Sequence, residues 1–362
     1  MLGSQFGKNF RITTFGESHG KALGVVVDGM PAGLALVEST IQRDLDRRRP
    51  GTSPYATSRQ EPDKAKLLSG VTKDGFTNGA PIAIVVENTD AKVADYKENE
   101  RLFRPGHADF TYHRKYGLNP QPGGGRASGR ETLARVAAGA VARLLLASTT
   151  RIQVLSAVRA IDKIVAQKSS FEFAEKDPLR FLDPDLAPKA HNLVKAAQEK
   201  GDSLGGVVEV QGLNVPAGWG EPVFAKMEAL LGAAFFSIGA VRAVEFGAGT
   251  SLATLPGSQA NDPIGPSGPM GDLHGGILGG ISTGKPIVAR LFVRPTPSIS
   301  LRQDTVDLQG VPSKIVTHGR HDPTVAPRLA PVAEAMCLIV LADLYLERQA
   351  NIALHPQIYR ED

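Results

Sequence analysis

Residues 123–132 read G-G-G-R-A-S-G-R-E-T. The Ala/Leu-rich run that follows, to about residue 147, predicts one long helix opening from the three glycines. Glycine lets a backbone come close to a bound group. The free N–H groups of a helix start, with the positive end of its dipole, favour an anion there. Arg126 and Arg130 stand in the same turn and can fork onto phosphate or carboxylate oxygens. Taken alone, the run is as compatible with a flexible loop and solvated arginines. Further arginine-bearing islands along the chain shift that balance.

Upstream, residues 10–15 and 23–28 predict strands. A helix is expected from Ser39, with capping-box spacing to Gln42, ending in Arg47-Arg48-Arg49 before Pro50-Gly51. Residues 66–71 and 81–87 predict a hairpin. The polar stretch 88–121 reads as a long loop or lid. Downstream, residues 157–200 show little beyond a polar helix near 188–200.

From Gly205 the pattern starts again. A strand at 207–211 precedes P-A-G at 216–218, which echoes P-A-G at 31–33, and a helix over 222–237 follows. G-I-S-T-G-K-P-I (280–287) echoes G-F-T-N-G-A-P-I (75–82). Arg294-Pro295 answers Arg104-Pro105, Gly319-Arg320 answers Gly129-Arg130, and a helix over 327–349 answers the one after Arg130. Pairs recurring in the same order imply two copies of one unit, about 10–150 and 205–350, intertwined in a single domain over 1–362. The two long apolar helices are expected against each other, with the sheets outside.

The chain has 362 residues, 42% hydrophobic and 22% charged, an ordinary composition for a globular protein with a large core. Net charge is +4, and arginine supplies 24 of the 41 basic residues, which suits small polyanions or nucleic acid. Cys337, the single cysteine, lies in M-C-L-I-V-L and reads as a buried thiol rather than a nucleophile. The N-terminus lacks an apolar signal core and no uncharged apolar run approaches ~20 residues, so a cytoplasmic location is expected.

Five islands join Gly or Pro to Arg, His, Ser or Asp: G-E-S-H-G-K (16–21), D-R-R-R-P-G (46–51), R-P-G-H-A-D (104–109), G-G-G-R-A-S-G-R-E (123–131), and R-P-T-P-S (294–298) taken with G-R-H-D-P (319–323). Repeated planar forks suit carboxylate and phosphate binding. The bland reading of Arg47, Arg48 and Arg49 is pairing at a helix end, with Asp44 four residues before Arg48; that accounts for one arginine. His19 and His107 sit on Gly-flanked loops, where an imidazole can pass a proton near neutral pH. Asp322 could orient a base or accept a proton. No H-x-H or H-E-x-x-H marks a metal site. G-G-I-S-T-G-K-P (279–286) misses the P-loop pattern because Pro286 stands where Ser or Thr would hold magnesium. Aromatics at 6%, not interleaved with arginine, leave nucleic-acid binding a weak competitor.

Together F-G-E-S-H-G, D-L-D-R-R-R-P-G, F-R-P-G-H-A-D-F-T-Y, G-G-G-R-A-S-G-R-E-T, G-G-I-L-G-G-I-S and G-R-H-D-P resemble the chorismate synthase family, from Phe10 to about Arg348. The resemblance implies an α+β fold: a four-layer β-α-α-β sandwich with internal duplication, two antiparallel sheets around central helices, assembled as a homotetramer. It implies a lyase that converts 5-enolpyruvylshikimate 3-phosphate to chorismate and phosphate by 1,4-anti elimination, in the shikimate pathway to aromatic amino acids. The cofactor implied is reduced FMN, with NADPH a candidate reductant. Neither nucleic acid nor membrane is an implied partner.

By the same resemblance, His19 protonates the departing phosphate, His107 sets the protonation of the flavin, and Asp322 assists proton removal. Ser18 and Ser128 match proton-relaying serines. Arg48, Arg49 and Arg130 match substrate-holding arginines. Arg126, Ala127, Ser128, Gly239, Ala240, Gly279, Arg294, Pro295, Thr296, Pro297, Ser298 and Arg320 fall on flavin-contacting segments. The chain departs from the family pattern at Ala127, Gly239, Pro297, Arg294 and Pro54, the last removing a basic contact some members use for a nicotinamide nucleotide. The alternative left open is a non-catalytic basic protein that binds phosphate or nucleic acid.

Overall fold

A computed structural model describes residues 3–51, 55, 61–89, 101–266, 268–317 and 322–354. The first sheet takes β1 (Gln5–Phe6), β2 (Arg11–Gly16), β3 (Ala22–Asp28), β4 (Ala65–Leu67) and β5 (Ile82–Glu87) in the order β1-β2-β3-β5-β4, antiparallel throughout. Ile82, Ile84 and Val86 of β5 are fully buried and alternate with more exposed neighbours, the period-two signature of a sheet with one face on the core; in β3, Leu23, Val25 and Val27 are fully buried and Gly24 is buried between the first two. Helix α1 (Glu38–Arg48) leaves that sheet; α2 (Asp109–Tyr116) and α3 (Thr132–Thr149) follow it.

The second sheet begins with β6 (Gln153–Ile161) and β7 (Ile164–Val165). Helices α4 (Phe171–Lys176) and α5 (Ala187–Glu199) precede β8 (Gly206–Leu213), and α6 (Met227–Phe236) precedes β9 (Val241–Phe246). After α7 (Gly257–Ala260) come two small hairpins, β10 (Ile264–Gly265) with β11 (Gly268–Pro269) and β12 (Ile277–Leu278) with β13 (Ile281–Ser282). Strand β14 (Ile287–Val293) completes the sheet in the order β7-β6-β8-β14-β9. A hairpin of β15 (Gln303–Val306) and β16 (Pro312–Ile315) leads to α8 (Ala326–Leu354). Strand for strand, β2, β3, β4 and β5 occupy the places of β6, β8, β9 and β14. Helices α1 and α6, then α3 and α8, take matching places along the chain.

Helix α3 packs on β3, α8 packs on β6 and β8, and the two helices pack on each other. Gly139 makes the close approach possible, because a methyl there would lie 2.4 Å from Ala335 Cβ. Both helices are long and apolar enough to cross a membrane, yet most of each is buried inside the protein, as core helices are. Cys337 is buried within α8, and burial pushes its thiol up to about 12.

Several local expectations change. The long helix starts at Thr132, not at the glycines: Gly123, Gly124 and Gly125 have φ of 60, 86 and 53°, which no right-handed helix admits. Helix α1 has Val37 at its N-cap with no side-chain cap, so the Ser39 capping box does not form. Gln42 instead accepts from Ala65 N at 3.0 Å, tying the helix to β4. Helix α6 begins at Met227, because residues 221–225 form a bridged turn. The second sheet begins well before Gly205, at Gln153. A register shift between Val158 and Ala160 breaks the alternation that would have marked β6. Helix α2 lies inside the polar stretch read as a loop; residues 90–100 of that stretch fall outside the described ones. The near P-loop pattern spans a hairpin and runs into β14, with no helix to receive a phosphate.

Candidate functional site

His19 lies in the turn between β2 and β3. Asn88, just past β5, clamps that turn by donating to Glu17 O at 3.1 Å and Gly20 O at 2.7 Å. Ser18, fully buried, places its hydroxyl 3.1 Å from His19 Nδ1. The backbone N–H of Ser18 donates to Gly125 O at 3.4 Å, which joins the turn to the triple glycine.

The glycines form a floor under two imidazoles. A Cβ on Gly123 would lie 2.1 Å from His19 Cε1, and one on Gly124 would lie 2.7 Å from His107 Cε1 and 2.9 Å from its Nε2. Two adjacent residues without side chains thus bring together histidines 88 positions apart in the chain. His107 precedes α2, and its Nδ1 donates to Asp109 Oδ1 at 2.8 Å. Arg104 donates to the same carboxylate from Nε at 2.7 Å and Nη2 at 2.8 Å. Burial alone would raise the Asp109 carboxyl, but the bonds from Arg104 and His107 hold it well below the usual carboxylate range. Asp109 thereby fixes the ring of His107, with Nε2 on the Gly124 side.

Arg48 and Arg130 enter from α1 and from the turn before α3. Their side chains are 2% and 4% exposed, and each pairs with one oxygen of Asp63, at 3.0 Å and 2.8 Å. Burial pulls the Arg48 guanidinium down to about 10; Asp63 opposes this, while nearby Arg328 and Arg130 add to it. Arg328 Nη1 donates to Asp322 Oδ2 at 2.6 Å. Asp44 does not pair with Arg48 as the helix-end reading expected; it accepts from Arg143 at 3.0 Å.

The opposite wall is the turn before β9, with Gly239 and Ala240, and the segment after β14. Arg294 N donates to Ala240 O at 3.0 Å, and the Arg294 side chain donates to Gly106 O. Burial, with Arg242 as a neighbouring cation, lowers the Arg294 pKa. Tyr112 and Tyr116 of α2 meet edge to face, ring centroids 5.6 Å apart, and present aromatic surface to the same space.

These groups enclose one cavity of about 1320 Å³. Of the residues singled out from sequence, His19, His107, Asp322, Ser128, Arg48, Arg130, Arg126, Ala127, Gly239, Ala240, Arg294, Thr296, Pro297 and Ser298 line it. Ser18 stands behind His19, and Pro295 lies between two lining residues without lining the cavity itself. Arg49 points to Asp46 at 3.7 Å on the half-exposed side of α1. Gly279 is at the exposed tip of the β12–β13 hairpin. Arg320 lies outside the described residues, as do Pro54 and His321. Arg126 donates to Gly16 O at 3.2 Å and Thr14 Oγ1 at 2.8 Å, so part of its fork holds the His19 turn. Sequence reading missed Asp63, Asp109, Arg242, Arg328 and the two tyrosines. Only Asp109 carried a local signal, two residues after His107.

A family model described as Chorismate synthase matches residues 10–346. A chorismate synthase of Nitratidesulfovibrio vulgaris strain Hildenborough is 51% identical over 356 residues, covering 98% of this chain and 100% of the relative. That of strain Miyazaki F is 50% identical over 353 residues, covering 96% and 99%. A chorismate synthase crystal structure superposes with a TM-score of 0.74 at 32% identity, covering 94% of this chain and 93% of the other.

Proposed function

The chain belongs to the chorismate synthase family, and from that premise we propose that its cavity converts 5-enolpyruvylshikimate 3-phosphate to chorismate and phosphate, with reduced FMN bound beside the substrate. The observation that carries the reading is the convergence of all five islands on one cavity, with both histidines seated on consecutive glycines. The enclosure favours small anions over nucleic acid, because Arg48 and Arg130 are almost wholly buried.

The residues present fit a flavin mononucleotide. Among the described residues, Arg294 Nε and Thr296 Oγ1 are buried without a protein partner on the wall expected to meet it, and the tyrosine pair offers aromatic surface. The volume exceeds the ~300–1,000 Å³ of a common ligand pocket, as two adjacent ligands require. When bound, reduced flavin supplies electron density to the substrate's allylic system as phosphate departs. The chain's own groups do the rest. Arg48 and Arg130 hold the anionic substrate. His19 donates a proton to the leaving phosphate as the C–O bond breaks and its electron pair goes with the oxygen. Asp322 assists removal of the proton lost from the far end of the allylic system. His107, fixed by Asp109, sets the protonation of the neighbouring cofactor, and Ser18 and Ser128 stand within the relay. The same reading carries a β-α-α-β layering of two duplicated halves, a homotetramer, a cytoplasmic location, and NADPH as the candidate source of reduction.

The test is an anaerobic assay with enolpyruvylshikimate phosphate and chemically reduced FMN. Chorismate should form with reduced FMN and not with oxidised FMN or none; equal turnover in all three overturns the reading. Asp109→Asn presents an amide where His107 needs an acceptor and disturbs the ring's tautomer. It should lower kcat about a hundredfold while KM stays within about threefold. Parallel changes in kcat and KM would remove the orienting role.

A further inference from the structure

Arg48 and Arg130 are the anion-binding pair of the proposed site, yet the protein supplies an anion to them itself. Asp63, fully buried, gives Oδ2 to Arg48 Nη2 at 3.0 Å and Oδ1 to Arg130 Nη1 at 2.8 Å. Glu61, also buried, stands 3.4 Å from Arg130 Nη2 while accepting from Thr89. Asp63 has φ of 44°, a left-handed conformation in which Asp and Asn are the commonest residues after glycine. The guanidinium groups keep further donors: among the described residues Arg48 Nε is buried with no hydrogen-bond partner, and Arg48 Nη1 meets only the neutral acceptors Gly129 O and Thr132 Oγ1.

Two buried like charges would repel strongly in an empty low-dielectric site. One shared carboxylate removes that repulsion and fixes the forks side by side. A ligand anion must then bind against a resident negative charge. At the effective dielectric of a protein site, a carboxylate ~6 Å from a bound phosphate weakens its binding about tenfold to a hundredfold.

We propose that Asp63, with Glu61 behind it, is a resident counter-ion of the Arg48–Arg130 anion site that lowers its affinity for a small free anion such as phosphate. The large substrate, held by several islands at once, tolerates this cost; a lone phosphate does not. The role rests on the proposed reaction only in taking phosphate as the product to be released, and phosphate binding can be measured without turnover.

The experiment uses the full chain and inorganic phosphate as the probe, by calorimetric titration at fixed ionic strength. Asp63→Asn retains side-chain volume and suits the left-handed backbone. It should bind phosphate at least about tenfold more tightly than the parent. Its thermal midpoint in phosphate-free buffer should fall, and added phosphate should raise that midpoint by more than it raises the parent's. Arg48→Gln/Asp63→Asn, in which one charge of each sign is removed, should lose the affinity gain. Unchanged or weaker phosphate binding by folded Asp63→Asn overturns the proposal, since a purely structural carboxylate would not tighten it. If Asp63→Asn does not fold in any buffer, Glu61→Gln decides: tighter binding supports the counter-ion role and unchanged binding overturns it. Failure of the parent to make chorismate would remove the proposed reaction while leaving this comparison intact.

Discussion

Gly123→Ala should reduce turnover by at least about a hundredfold while leaving a folded protein. The added methyl would sit 2.1 Å from Cε1 and 2.3 Å from Nδ1 of His19 and 3.1 Å from Ser18 Oγ. Such separations cannot persist, so the imidazole must swing away or the turn must retreat. At φ of 60° an alanine is also strained, by about 1 kcal/mol. Total destabilisation should therefore be about 1–3 kcal/mol, small beside the lost activity. The reason for the asymmetry is geometric: what yields is the ring whose placement the proposed reaction uses, and a displacement of ~1 Å costs about two orders of magnitude in rate. Gly232, within α6, is the comparison, because a methyl there meets nothing within 4 Å. Gly232→Ala should keep turnover within about twofold and gain up to ~1 kcal/mol from helix propensity. Steady-state kinetics and urea unfolding of both variants provide the measurement. A Gly123→Ala enzyme within about threefold of its parent would show that His19 does not depend on the glycine floor.

The islands were legible because each is compact in sequence: glycine and proline beside arginine and histidine mark loops, and the fold brings residues of every island to one cavity. What those islands pair with was not legible. Asp63 bonds Arg130 across 67 positions, whereas the neighbour that sequence proximity offers to Arg48, Asp44, goes to Arg143, 99 positions on. Only the folded chain settles which of many carboxylates meets a given guanidinium. The strands were readable where alternation was clean, as in β5, or where a short Val-rich run lay between turns, as in β3, and β6 was not because its bulge scrambles the period. The triple glycine was read as the opening of a long helix, where the backbone can come close to a bound group and an anion is favoured. The helix begins at Thr132, and the left-handed backbone of the glycines makes a platform for two side chains, a distinction carried by dihedral angles that composition does not reveal. Arg47, Arg48 and Arg49 looked like one basic run, but the helix turns them in three directions, towards Glu334, Asp63 and Asp46.

Glu334→Ala should cost about 3–5 kcal/mol of stability, the loss expected when a buried ion pair is broken from one side. Glu334 lies on α8 and its side chain is 2% exposed. It accepts from Arg47 Nη1 at 2.7 Å and Nη2 at 3.1 Å, Arg143 Nη2 at 2.5 Å and Ser156 Oγ at 2.9 Å. One carboxylate thus joins α1, α3, α8 and β6. Removing it leaves two guanidinium groups facing an emptied, buried space, with Glu175 and Asp44 compensating only their outer sides. The acid limb of stability carries the same signature. Burial would raise the Glu334 carboxyl, but Arg47 and Arg143 outweigh it and hold the group below its ordinary value. A carboxyl depressed on folding contributes in full above its unfolded value, about 4.3, and that contribution disappears as pH falls through the lower folded value. The gap between parent and variant should therefore be constant from neutral pH to about pH 5 and shrink below about pH 4. Urea unfolding across that range reads it directly. A gap that stays constant into the acid limb would mean that Glu334 keeps its charge down to the lowest pH or never carried the stability, and a loss under about 1 kcal/mol at neutral pH would decide for the second.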